Sequence, residues 1–133
     1  MMHPAYFETH FHTADAGEDW PHEFVIISAY ATTGEHWPHG RNAAADQQLA
    51  ECLRQHSSWL KRVTGYSPTT GHAEPSWAAA LPFDEACDLG LIFHQDAIYY
   101  IAEDVLSVSH CDARRKLIPV GSFRSRLSAQ QES

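Results

Sequence analysis

The chain has 133 residues, enough for one domain built around a single core. With 44% hydrophobic and 20% charged residues it is not a disordered acidic chain, and no apolar run approaches the roughly 18 to 20 residues of a membrane helix. The net charge of −8 argues against general nucleic-acid binding, which needs a basic face to neutralise phosphates. In chain order, the first signal is Tyr6 to Thr13, where apolar and polar residues alternate with the period of a half-buried strand, so that Phe7, Thr9 and Phe11 share one face. Residues 14–23 are polar, broken by Gly17 and Pro21, and form a connection. Phe24 to Tyr30 is a short apolar run of β-branched and aromatic residues, which reads as a central strand covered on both faces.

After a loop with Gly34, Pro38 and Gly40, Asn42 fits a helix N-cap. Ala45, Leu49, Cys52, Leu53 and His56 then recur at helical spacing, giving an amphipathic helix of about four turns. Trp59 to Thr64 is a shorter strand. A loop over Gly65–Ser76 follows, then the apolar run Trp77 to Leu81. Pro82 fits the first turn of a second helix, with Asp84 and Glu85 opposing its dipole and Phe83, Ala86, Cys87, Gly90 and Phe93 on its buried stripe. Ala97–Ile101 and Val105–His110 pair as a hairpin, although Glu103-Asp104 is a poor primed turn and leaves a longer loop open. Beyond Asp112 the only pattern is Leu117 to Val120, and the Ser/Gln/Arg-rich end reads as frayed.

The expected fold is α+β in the order β-β-α-β-β-α-β-β: a mainly antiparallel sheet of five to six strands with two helices packed on one face, ferredoxin-like. Residues 1–113 form the domain, and residues 114–133 a basic, partly ordered tail. The first segment holds four of the nine basic and sixteen of the seventeen acidic groups. Arg114, Arg115, Lys116, Arg124 and Arg126 either lie against the acidic body, stay solvated, or meet phosphate or a partner. The three cysteines, Cys52, Cys87 and Cys111, lack Cys-x-x-Cys spacing, and the two within helical patterns read as small core residues. The N-terminal residues lack the pattern of a secretory signal, so the expected location is cytoplasmic, with no membrane partner.

Several segments in order resemble the bacterial family called domain of unknown function 3293. They are Phe24 to Tyr30, Arg41-Asn42, Gly65-Tyr66-Ser67-Pro68, Gly71 to Trp77, and Phe93 to Ile98. The resemblance runs over roughly residues 5–110. It departs where the family's first strand usually meets an Asn-Pro pair, since here Tyr30 is followed by Ala31-Thr32-Thr33-Gly34. The family carries no established activity, so the resemblance implies a single domain and no mechanism.

Chemistry concentrates in Gly65 to Trp77. His72 and Glu74 stand two apart in a segment bounded by glycine and proline, so an extended backbone points both the same way, and a carboxylate beside an imidazole makes an acid–base pair. Ser67 or Ser76 would then serve as nucleophile. Equally, His72 and Glu74 tie the loop to its own backbone while Trp77 anchors it. Arg41 and Asn42 stand at a helix start, where free N–H groups attract anions, and they complete an anion pocket if Arg41 approaches Ser67 and His72. Otherwise Arg41 is solvated. Gln95 either reads a ligand or helps to stop the second helix. Glu8, His10 and His12 alternate along the first strand, a weak metal pattern better read as a solvated face.

Phosphate-cradling, dinucleotide, His-Glu-x-x-His and Gly-x-Ser-x-Gly motifs are missing, and no cofactor is expected. The leading expectation is a binding module for a small polar or anionic ligand or a protein partner, built on Arg41, Asn42, Ser67, Ser76, Trp77 and Gln95. The alternative is a small hydrolase or transferase-like enzyme with His72 and Glu74 as its acid–base pair. A third is an interaction module acting through a sheet edge or the tail.

Overall fold

The computed structural model describes residues 4–14, 19–29 and 39–129. Gly17, the end of the expected second strand at Tyr30, the loop through Gly34 and Pro38, Trp37 and the last four residues lie outside them.

A 3-10 turn over Pro4–Phe7 leads into β1 (His10–Thr13), β2 (Glu23–Ile27), α1 (His39–His56), β3 (Leu60–Tyr66), β4 (Ala73–Ala79), α2 (Phe83–Ile92), β5 (Ala97–Ala102), β6 (Val105–His110) and β7 (Ile118–Ser122). A second 3-10 turn, Arg124–Arg126, then delivers β8 (Leu127–Ala129). All eight strands belong to one sheet in the order β7-β6-β5-β2-β4-β3-β1-β8. Neighbours are antiparallel except β1 and β8, which run parallel.

This corrects the ferredoxin-like expectation of five to six antiparallel strands. The sheet has eight strands, is mixed, and curls into a half-barrel. Its connectivity shows why it must curl. The edge strands β7 and β8 are joined by Phe123 and one 3-10 turn. Five residue steps from Ser122 to Leu127 span at most about 17 Å. Seven strand spacings in a flat sheet of this order would set the edges about 34 Å apart. Phe123 crosses the enclosed face, with its ring 5.7 Å from Phe11 and 5.2 Å from Phe24.

The two faces therefore carry separate cores, and β2 shows the division most clearly. Phe24 and Ile26 point into the curl with Phe11, Val63, Ala78, Ile101, Leu106 and Phe123. Val25 and Ile27 point outward, where Leu49 and Leu53 of α1 and Ala86, Cys87 and Leu89 of α2 cover them. At about 25 cal/mol per Å² of apolar area, burial on both sides holds β2 firmly in the sheet.

Three local differences from expectation matter for the site. First, Gly65–Ser76 is no free loop. Antiparallel pairing runs from Leu60 opposite Ala79 to Tyr66 opposite Ala73, leaving only Ser67 to His72 as a turn. Second, Phe7 belongs to the 3-10 turn and not to the strand of Phe11. Third, α1 begins at His39, so Asn42 sits inside its first turn and is not the cap. Glu103 and Asp104 do form a two-residue primed turn, at φ of 48° and 69°. The Asp104 carboxylate accepts from Ser122 Oγ and from the Arg124 N–H, which anchors the turn to the β7–β8 link.

Candidate functional site

One end of the half-barrel is not filled by aromatic rings. On β4 the side chains of Glu74 and Ser76 share the inward parity of Ala78, and on β5 Tyr99 shares that of Ile101. Ser28, two residues beyond Ile26, continues the inward face of β2. Together with Tyr6, Thr9, Phe11, Gly65, Tyr66, Ser67, Thr70 and His72, these residues surround a recess of about 180 Å³ and a smaller one of about 30 Å³. Tyr6, Glu74, Ser76 and Tyr99 line both, and Ser28 and Gln95 line only the smaller. Gly65 opens the wall: a Cβ there would stand 3.3 Å from the Thr9 methyl and 3.7 Å from the Phe11 ring.

The turn at the mouth is fixed by its own hydrogen bonds. Gly71 N–H donates to the Ser67 carbonyl (2.8 Å), Ser67 N–H to the His72 carbonyl (2.9 Å), and Thr70 N–H to Ser67 Oγ (3.3 Å). Gly71, at φ of 76°, takes a backbone conformation that costs other residues roughly 1 kcal/mol or more.

Glu74 is the chemical centre. Ser28 Oγ donates to its Oε1 at 3.1 Å. Burial pushes the carboxyl up to about 7, and the Ser28 hydrogen bond offsets only part of that. Tyr99 donates to Thr9 Oγ1 at 2.7 Å, with the Tyr6 carbonyl at 3.2 Å. Burial raises its phenol well above the ordinary value, the Thr9 bond opposes the shift, and the charges of Tyr6 and Glu74 add to it. Ser76 Oγ donates to the carbonyl of Glu74 at 3.3 Å.

The structure brings His72, Glu74, Ser67, Ser76 and Gln95 to these recesses. His72 is exposed on the rim, and the carboxyl of Glu74 bonds Ser28 instead of the imidazole. Gln95 follows a Schellman stop, in which Gln95 N–H donates to the Gly90 carbonyl and His94 N–H to that of Leu91, with His94 at φ of 60°. Its buried amide donates to the Phe93 carbonyl at 3.2 Å. Trp77 points the other way, toward the helix-covered core, with the Arg62 guanidinium 4.4 Å from its ring centroid. Arg41 lines a separate groove of about 620 Å³ between α1 and the end of α2, and Asn42 lines none of these cavities.

His10 and His12 lie beside the Tyr66 ring, at 5.9 and 5.1 Å, while Glu8 falls outside β1. Among the described residues no three His, Cys, Asp or Glu side chains gather as a metal site.

Tyr99, Ser28, Tyr6 and Thr9 escaped the sequence reading. Ser28 did leave a signal: it is the polar residue at the inward period of Phe24 and Ile26 in an otherwise apolar run. Tyr99 left none, because an aromatic in a strand is ordinarily core.

A family profile described as Protein of unknown function (DUF3293) matches residues 27–98, more than half of the chain. The chain belongs to that family. The DUF3293 match contains Ser28, Glu74, Ser76 and Gln95 of the smaller recess, whereas Tyr6 and Tyr99, which line both recesses, and Thr9 and Phe11 fall outside it. No curated protein and no solved structure matches the chain. Among the described residues no helix is long and apolar enough to cross a membrane.

Proposed function

We propose that this protein is a binding module that takes a small polar ligand into the recess at the open end of the half-barrel. The observation carrying this reading is the carboxyl of Glu74, whose pKa burial raises to about 7, at the junction of two recesses. A buried ionisable group that packing does not require is characteristic of a functional site. Phe11 and Gly65 supply an apolar wall, Ser67, Ser76 and Tyr99 supply hydrogen-bonding groups, and His72 and Thr70 guard the rim.

The reading is tested by titrating isotope-labelled protein with a library of small polar fragments and following amide signals. Binding should perturb Ser28, Thr70 to Ser76 and Tyr99 together. The double substitution His72→Ala with Glu74→Gln should weaken that binding by tenfold or more while leaving the spectrum folded. Fragments that instead gather in the Arg41 groove, or a double variant that unfolds, would remove the recess as a binding site.

A second reading, a small hydrolase or transferase-like enzyme, draws on the same carboxyl, since a group titrating near 7 serves equally as general acid or base. The two separate in Glu74→Gln: a binding module loses affinity, whereas an enzyme loses turnover and keeps its substrate.

A further inference from the structure

The chemistry of the occupant follows from where the recess spends its protons. The Ser28 hydroxyl is directed at Glu74 Oε1 and the Pro75 carbonyl, that of Ser76 at the Glu74 carbonyl, and that of Tyr99 at Thr9 and the Tyr6 carbonyl. With these donors committed to the protein, Ser76, Tyr99 and the ionised form of Glu74 present oxygen lone pairs to the cavity, while the hydroxyls of Ser67, Thr70 and Tyr66 also line the larger recess. An occupant satisfies them by bringing N–H donors.

Charge points the same way. No lysine or arginine lines either recess. The segments outside the described residues contain no lysine or arginine, so none comes from there. The guanidinium near this end, that of Arg126, is committed to the carbonyls of Phe7, Thr9 and Val120. The smaller recess, about 30 Å³, has the size of one ammonium or amino group. The larger continues it along Phe11 and Gly65.

We propose that the recess receives a small organic cation, an amine or amidine, whose N–H donors pair with the Glu74 carboxylate while its apolar body lies against Phe11 and Gly65. This rests on the reading of the recess as the ligand site. An anion would meet a carboxylate with no cation beside it. A neutral amide would satisfy the acceptors but would leave the ionised carboxylate uncompensated. Cation binding favours the ionised form of Glu74 and therefore strengthens as pH rises through about 7. Of the groups facing Glu74, Tyr6, Tyr66 and Tyr99 carry phenols and His72 an imidazole, so a His72→Gln control isolates the carboxyl.

The test uses the full chain with benzamidine and benzylamine as cations, benzamide as the neutral isostere and benzoate as the anion. Each is titrated at pH 6 and pH 8 while the amides of Ser28, Ser76 and Tyr99 are followed. A cation should bind about tenfold or more tighter than benzamide at pH 8 and lose affinity at pH 6, in the wild type and in His72→Gln alike. Glu74→Gln should abolish both the preference and the pH dependence. Benzamide or benzoate binding in the recess as tightly as the cations would overturn the cation assignment and leave the recess a ligand site. Silence at these amides with every probe would overturn both.

Discussion

At the scale of single residues, Glu74 couples the site to stability. The folded protein keeps its proton up to about pH 7, whereas an exposed glutamate releases it near 4.5. Between those values the folded state binds more protons than the unfolded state, so stability falls as pH rises and the cost is complete above the folded value. A shift of this size corresponds to about 3 kcal/mol. Glu74→Gln keeps the shape and cannot ionise. Urea unfolding from pH 5 to pH 8 should show the variant close to wild type at the acid end and about 2 to 3 kcal/mol more stable at the alkaline end. An offset independent of pH would mean that the carboxyl ionises as freely as one in water. The same cost is what a bound cation would relieve, which ties the acidic group's role in binding to its effect on the fold.

At the scale of elements, Gly90 lets α2 come close to Ile98 of β5 and to Cys111, the residue after β6. A Cβ at Gly90 would lie 2.6 Å from Cys111 Sγ and 3.3 Å from Ile98 Cγ2. Cys111 is wholly buried and cannot swing aside. Replacing glycine by alanine in a helix ordinarily gains up to about 1 kcal/mol, but overpacking a core costs about 1 to 3 kcal/mol. Gly90→Ala should therefore lower the unfolding temperature by several degrees, and Gly90→Ala with Cys111→Ala should recover most of the loss. A stabilised single variant would show that α2 shifts freely over the sheet. Sequence made this layer legible because each signal was local. Asp84 and Glu85 do stand in the first turn of α2, Pro82 just precedes it, and the alternation of Phe24 to Ile27 marks a strand buried on both faces. What stayed hidden was non-local. Gly65 to Trp77 reads as a loop from its glycines and prolines, yet Pro75 stands opposite Thr64 and Glu74 opposite Gly65 within a continuous hairpin. The half-exposed β7, with Pro119 and Gly121, and the three-residue β8 carry too little periodicity to announce themselves. Tyr6 and Tyr99 meet across most of the chain, and no local pattern encodes that approach.

At the scale of the whole molecule, the chain after β6 closes the half-barrel and thereby shapes the recess. Arg126 Nη1 donates to the carbonyls of Phe7 (2.9 Å) and Thr9 (3.2 Å), and Nη2 to that of Val120 (2.9 Å). One guanidinium thus ties the N-terminal segment that carries Tyr6 and Thr9 to β7, on the opposite edge of the sheet. Hydrogen bonds to a charged donor contribute about 1.5 to 3 kcal/mol each before non-additivity, so Arg126→Ala should cost about 2 to 4 kcal/mol overall. Arg126→Lys, with a compact head that cannot fork between the two edges, should recover less than half of that. Arg126 touches neither helix among the hydrogen bonds it makes, so the damage should be regional. Amide exchange should accelerate along β1, β8 and Thr9 well before it does in α1, α2 and β2, because a half-barrel released at its seam loosens from the edges inward. Uniform acceleration would show instead that the seam and the helix-covered core unfold as one unit. In that case closure could not modulate the recess independently of global stability, whereas a regional response makes the seam the element through which the mouth beside Glu74 opens.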